Sequence, residues 1–357
     1  MKKTPILILI LFMGLILSTC KSPNEPEDKD KPTTDTTSHN FTFTVHKIGP
    51  SGSFLNDIFV VNENDIWAVG IVYDTLPNGL ADTDHFYNVV HWNGIKWEKI
   101  KLKQRFVGET GHVYYLDGAE IESVWVTPNG TVWVSVGAIS YLKDGKWNEV
   151  ELNYDQQIGT RKIWGYGDNN LYFVGLNGGI LHYNGSSYTR LPKKTELNFT
   201  DIWGDGNEIL VITYCYGDLF PQEVYSLNSN AITSFPSLKV PNLNSQTGIW
   251  FVGETKFLSG SGLYQYDSIQ KQWNQVLDYP SGFYPYKIRG NNLNDYWICD
   301  EFGHVAHFNG NSWKDFSFVS NKFSGKPWYD RLEVKGNTVA ILAFWANRND
   351  IVIGIRK

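Results

Sequence analysis

Apolar positions in this chain fall in short runs separated by turn residues, and nowhere hold a sustained helical spacing. Residues 161–191 give the clearest unit, with runs at Ile163-Trp164, Leu171–Val174, Ile180–Tyr183 and Tyr188–Leu191. Each run is too short for a helix and rich in β-branched and aromatic residues, so the unit predicts a four-stranded antiparallel meander. Asn184-Gly185, between the last two runs, predicts a two-residue type I′ turn with φ > 0 at both central positions.

The unit repeats. Ile58-Phe59, Val124-Trp125, Ile163-Trp164, Ile202-Trp203, Ile249-Trp250 and Ile288-Arg289 take the opening position, and the steps from 124 to 163 to 202 and from 249 to 288 are each 39 residues. The closing hairpin recurs as HWNGIKW (91–97), YLKDGKW (141–147), HYNGSSY (182–188), YQYDSIQKQW (264–273) and HFNGNSW (307–313). That period is about the length of one propeller blade. Arg331–Val334, Thr338–Phe344 and Asp350–Ile355 supply only three strands at the C-terminal end, whereas Phe41–Ile48 alternates apolar and polar with no blade of its own. A ring of blades removes its edges by closing. The expected fold is therefore all-β, a seven-bladed propeller over 41–357, with Phe41–Ile48 as the outer strand of the last blade. Six or eight blades are the alternatives if the first or last is misread.

Composition narrows the partners. Of 357 residues, 15% are aromatic and 14 are Trp, which suits many packed short strands. Net charge is −6 and no Lys/Arg-rich run occurs, which argues against nucleic acid and anionic membrane surfaces. Cys215 and Cys299 read as free thiols in the second strands of blades four and six.

No local motif points to catalysis, and neither a catalytic residue, a metal nor a cofactor is expected. His91, His182 and His307 share one position of the repeat, which spreads them around a ring and predicts structural roles; His85, His112 and His304 are scattered. There is no HExxH, GxSxG or Walker loop, and Gly260-Ser261-Gly262 reads as a hairpin loop. Carboxylate pairs drawn from separate blades need no local motif, so a glycosidase or polysaccharide lyase stays open as an alternative.

Met1–Lys3 are followed by an apolar run, Ile6–Leu17, too short to span a bilayer. The run ends Leu17-Ser18-Thr19-Cys20, which resembles the lipobox of bacterial lipoproteins, with Thr19 where Gly or Ala is usual. The resemblance implies a signal peptide over 1–19 and acylation (palmitate) of Cys20. Residues 20–40 carry Pro, Thr and charge but no aliphatic or aromatic side chain, and predict a disordered tether. The pattern IWG…LYFVGLNGGILHYNG…Y is similar to repeat propellers of secreted and lipid-anchored proteins in Bacteroidetes-type bacteria. NGTVWVSVGAISYLKDGKW (129–147) resembles, more weakly, the sensor propellers of two-component regulators. These resemblances imply a cell-envelope, outer-membrane protein, periplasmic or surface-exposed.

Departures from the basal repeat are where binding residues are expected. The long segments are Ile71–Asn88, Gln104–Gly118, Tyr214–Gln222, Asp278–Tyr286 and Ser320–Tyr329. They hold the candidate ligand-binding aromatics Tyr73, Tyr216, Phe283, Tyr284, Trp328 and Tyr329, with Glu301 and Arg348 close by in the repeat; Asp82, Asp84 and Asp218 add charge. The expectation is a non-enzymatic binding module, monomeric and membrane-attached only through its lipid, holding a glycan or an envelope protein on this loop-bearing face. A scaffold within an envelope complex is the first alternative.

Overall fold

The computed structural model describes residues 36–216, 222–228, 231–237, 244–245, 248–260 and 262–357; Cys20 and the leader lie outside the described residues. Seven four-stranded antiparallel sheets form a ring. Their inner strands are Phe54–Asn62, Ser123–Val126, Thr160–Gly167, Phe199–Gly204, Gly248–Val252, Lys287–Asn292 and Trp328–Lys335. Blades 1 to 6 each run outward through three further strands in sequence order. Blade 7 closes as its pattern predicts. Phe41–Lys47 pairs antiparallel with Arg348–Arg356, from Phe41 opposite Arg356 to Lys47 opposite Asp350. The closing strand packs inward as well, with Phe41 edge-on to Trp297 at 4.8 Å.

Alternation within the strands produces the ring. Inner-strand residues point in turn to the blade before and the blade after. Ile163 packs back against Trp133 and Ile139 of blade 2. Trp164 packs forward against Ile202 and Val211 of blade 4. Burying each such side chain stabilises the ring by about 1.5–3 kcal/mol.

The three repeat histidines are structural. His91, His182 and His307 each stack on a second-strand ring, at 3.8 Å from Trp67, 4.4 Å from Tyr172 and 4.6 Å from Trp297. Their Nε2 atoms meet Asp65, Asn170 and Asp295, each the first residue of its second strand, at 2.8–2.9 Å. Among the described residues no group of three or more His, Cys, Asp or Glu is placed to hold a metal ion.

Three local expectations differ from the structure. Asn184-Gly185 is not a type I′ turn, because only Gly185 has positive φ, at 91°. Asn184 Oδ1 instead accepts from the N–H groups of Ser186 and Ser187, closing a four-residue loop. The same side-chain turn recurs at Asn93 and Asn309. Asp144-Gly145, with φ of 51° and 73°, has the paired positive values of type I′, as does Ala346-Asn347 in blade 7, at 50° and 60°. Second, Ile71–Asn88 and Gln104–Gly118 are hairpins: Asp65–Thr75 pairs with Ala81–Trp92, and Lys103–Val107 with Val113–Asp117. Third, Cys215 lies beyond the second strand of blade 4, in a two-residue strand, Cys215–Tyr216, paired with Asn244–Ser245. Cys299 does end a second strand, and is free and buried, which raises its thiol pKa.

Candidate functional site

The second-to-third-strand loops and the connections between blades meet on one face. Glu122 N–H donates to Ser135 O, Tyr214 N–H to Asn198 O, Tyr286 N–H to Cys299 O and Asn349 N–H to Ser53 O, each joining a blade connection to such a loop. The predicted aromatics divide on this face. Phe283 and Tyr329 are buried in the core and are not ligand contacts: Phe283 packs between blades 5 and 6, and Tyr329 lies under Ser320. Tyr73 is half-buried at 6.3 Å from Phe86. Arg348 is held in a bidentate pair with Asp350. Tyr284, 54% exposed, and Trp328, 42% exposed, do face solvent. Tyr284 stands edge-on to exposed Phe302 at 5.6 Å. Glu301 is half-buried beside that pair in sequence, and burial raises its carboxyl pKa. The side chain of Tyr216 lies outside the described residues, as do Asp218 and Phe220.

The sequence reading missed what lies on the axis. The residue before each apolar opening is Asp57, Ser123, Lys162, Asp201, Gly248, Lys287 or Arg331. An inner strand is an edge, with backbone groups that no neighbouring strand bonds on the axial side. These side chains supply the partners. Asp57 Oδ2 accepts from Val124 N–H at 3.1 Å and from Ser123 Oγ at 2.7 Å. Ser123 Oγ in turn accepts from Ile163 N–H at 2.9 Å, and Asp201 Oδ2 from Ile249 N–H at 3.0 Å. Each link passes from one blade to the next. Cations complete the ring: Lys162 Nζ lies 2.6 Å from Asp57 Oδ1, and Arg289 lies 2.6 Å from Asp201 Oδ1 while donating to Ile249 O. Gly248 has no side chain because a Cβ there would meet Ser259 Oγ at 2.7 Å and the Lys287 stem at 3.3 Å.

The electrostatics of this ring are uneven. Burial disfavours the Asp201 carboxylate, but Arg289, Lys287 and Lys162 outweigh it and hold its pKa near 2. Burial lowers Lys287 to about 7, with Asp201 opposing and Arg331, Arg289 and Lys162 adding to the fall. Burial raises Glu333 to about 7, since Arg289 and Lys162 offset it only in part.

One residue nearer the loop face, the inner strands are bulged. Register shifts fall at Asn56, Arg161, Thr200 and Asp330 in blades 1, 3, 4 and 7. A bulge re-aims the extra side chain out of the ladder. Arg161 and Thr200, with Asn198, Phe199, Tyr214 and Arg331, line a cavity of about 250 Å³. Arg161 pairs with Glu122 at 2.7 Å. Burial raises the Asp330 carboxyl despite Arg331 and Lys287, and its Oδ1 is enclosed with no hydrogen-bond partner. The only advance signal was a polar residue ahead of every apolar opening but that of blade 5, where Gly248 stands, and strand alternation alone would also produce it.

This arrangement defines a seven-bladed β-propeller with a polar, two-guanidinium recess on its loop face, an architecture suited to binding or scaffolding. Two of the solved structures that share the fold are of YCF48. One, YCF48 bound to D1 peptide, matches at 13% identity with a TM-score of 0.63, covering 90% of this chain and 96% of that one. The other, YCF48 from Cyanidioschyzon merolae, matches at 14% identity and 0.58, covering 88% and 98%. No protein-family model matches the chain, and no curated protein does.

Proposed function

We propose that this chain is a lipid-anchored envelope protein whose propeller binds a segment of a partner protein over the bulged recess. The recess carries the reading: Arg161 and Arg331 enter it with Tyr214, Thr200 and Asn198, so it offers cationic and hydrogen-bonding groups beside an aromatic wall. Such a lining suits an acidic or amide-bearing peptide segment. The likeness to YCF48, one structure of which holds a D1 peptide, supports a peptide ligand over a small metabolite. The lipobox-like Leu17–Cys20 and the Pro-, Thr- and charge-rich residues that follow it support the envelope location; the chain is docked on blade 6 from Thr37 and His39 onward.

The test is cross-linking mass spectrometry on the full chain in its native membrane, comparing wild type with Arg161→Glu and Tyr214→Ala. A partner peptide cross-linked at the recess and lost in both variants is expected; a partner retained by both overturns the reading. Metabolic labelling with an acyl analogue should mark the wild type and not Cys20→Ser, and equal labelling would overturn the anchor.

A glycan is the second reading, favoured by exposed Tyr284 and Phe302 beside a cavity of about 400 Å³ lined by Gly303, His304, Phe323 and Lys326. A glycan-array hit lost in Tyr284→Ala but kept in Arg161→Glu would select it.

A further inference from the structure

The connection from blade 1 to blade 2 rises into a two-stranded sheet of its own, separate from the seven blades. Its first strand, Lys103–Val107, is closed on its far side. Gln157 Oε1 accepts from Val107 N–H at 3.0 Å, and Gln157 Nε2 donates to Val107 O at 2.7 Å, so one amide imitates a neighbouring strand. The second strand, Val113–Asp117, has no such cover, and all five of its residues are exposed. Val113, Tyr114, Tyr115 and Leu116 are each between 38 and 46% exposed. Four large apolar, strand-forming residues on an open edge are what proteins ordinarily blunt with charge, proline or a bulge.

The ladder tells which backbone groups are open. Gly108 N–H donates to His112 O at the turn. Counting by twos along the register, Phe106 with Tyr114 and Gln104 with Leu116 are the bonded pairs. Val113, Tyr115 and Asp117 therefore turn N–H and C=O outward, and no described residue meets them.

The charge around this edge selects the occupant. Lys103 Nζ lies over the Tyr115 ring at 5.6 Å, and Arg105 stands opposite Tyr115 in the register. Lys101 lies over Phe86 at 4.6 Å on the adjoining hairpin. Asp117, the one acid of the strand, is 3.9 Å from Lys103. A second copy of the chain pairing edge to edge about a two-fold axis at Tyr115 would bring both copies' Lys103 and Arg105 onto one face, against their charge. An acidic strand would meet them with opposite sign.

We propose that Val113–Asp117 takes an extended, acidic segment of a partner polypeptide as a third strand. The outward groups of Val113, Tyr115 and Asp117 supply the ladder, and Lys103 and Arg105 receive its carboxylates. This edge is a second surface, independent of the axial recess.

The probe is a blocked, fluorescent heptapeptide, Thr-Glu-Val-Glu-Val-Glu-Thr, titrated by anisotropy into the full-length chain beside its lysine counterpart. The glutamate peptide should bind at least about tenfold tighter than the lysine peptide. Tyr115→Pro deletes an outward N–H while leaving the inner ladder whole, and should weaken binding by about tenfold or more. Tyr115→Thr keeps that N–H and should stay within about threefold. Lys103→Glu should weaken the glutamate peptide and favour the lysine peptide. The titrations are repeated in Arg161→Glu, whose recess cannot compete for the acidic probe; the loss on Tyr115→Pro should be the same there, which separates this surface from the recess. Equal binding by Tyr115→Pro and wild type, or no preference between the peptides, overturns the proposal. A concentration-dependent dimer abolished by Tyr115→Pro, without peptide binding, would assign the edge to a second copy instead.

Discussion

The Nδ1 atoms of His39 and His307 lie 2.9 Å apart, so one donates and the other accepts. His307 turns its Nε2 to the Asp295 carboxylate at 2.8 Å. That contact assigns the His307 proton to Nε2 and leaves its Nδ1 to accept from His39. Ser312 Oγ faces the remaining His39 nitrogen at 3.4 Å. The pair can carry one added proton on His39 Nε2 with its hydrogen bond intact, but a second, on His307 Nδ1, sets two donors face to face. Burial, then His307 and Lys314, with Arg356 adding, lower His39 from 6.5 to about 4; burial lowers His307 too, against Asp295.

The consequence is acid loosening of the closing strand. A histidine with a lowered folded pKa contributes no penalty above 6.5 and an increasing one as pH falls from 6.5 toward 4. His39 keeps part of its surface in water, so screening reduces the loss to about 1–2 kcal/mol. Urea unfolding at pH 7 and pH 4.5 should show wild type losing that much more than His39→Phe, which keeps the ring and cannot titrate. Parallel losses in both proteins would refute His39 as the cause of the acid loosening.

Asp201 is the most committed carboxylate on the axis, with Arg289 at 2.6 Å and the Ile249 N–H at 3.0 Å. Asp201→Asn can keep the backbone contact but strands a buried guanidinium. It should cost about 3–5 kcal/mol in urea unfolding. Asp205→Asn, whose Oδ1 caps an exposed turn through Asn207 N–H, should cost under about 1 kcal/mol. Similar costs at the two sites would mean that the axial network is better solvated than its burial indicates.

The loops that close the blades separate two turn mechanisms. Asn184→Ala removes the acceptor for Ser186 and Ser187 N–H and should cost about 1 kcal/mol, while Asn184→Asp retains it. Asp144→Ala places alanine at φ 51° and should cost about 1 kcal/mol by backbone strain instead. Asp144→Gly should then stabilise and Asn184→Gly should not; thermal unfolding of the five variants checks both.

These turns also show how far the chain could be read without coordinates. Period and alternation depend on neighbours within one blade, so the blades, the closing strand and the histidine positions were legible. Turn type at Asn184-Gly185 was not, because the asparagine side chain competes with its own backbone and two serines follow to donate to it. The axial recess was not either. Arg161, Thr200 and Arg331 come from blades 3, 4 and 7, and a bulge, which leaves no residue signature, falls at or beside each. Phe283 and Tyr329 looked like ligand contacts because they sit in connections, yet those connections fold back onto the core and bury them.

The crowding of cations around Lys287 leads to the last prediction. Its ammonium is buried among Arg331, Arg289 and Lys162, with Asp201 the main compensation, and its pKa falls from 10.5 to about 7. A lysine lowered in this way penalises the folded state fully below pH 7, and the penalty fades as pH rises from 7 toward 10.5. Lys287→Met preserves the stem that passes Gly248 and removes the charge. The variant should be more stable than wild type by on the order of 2 kcal/mol at pH 6, with a smaller gain at pH 9. Paired with Asp201→Asn it should recover part of that variant's loss, because one fewer cation is then left uncompensated. A Lys287→Met protein less stable than wild type at pH 6 would show instead that the ammonium holds the inner strands together through contacts that outweigh its burial.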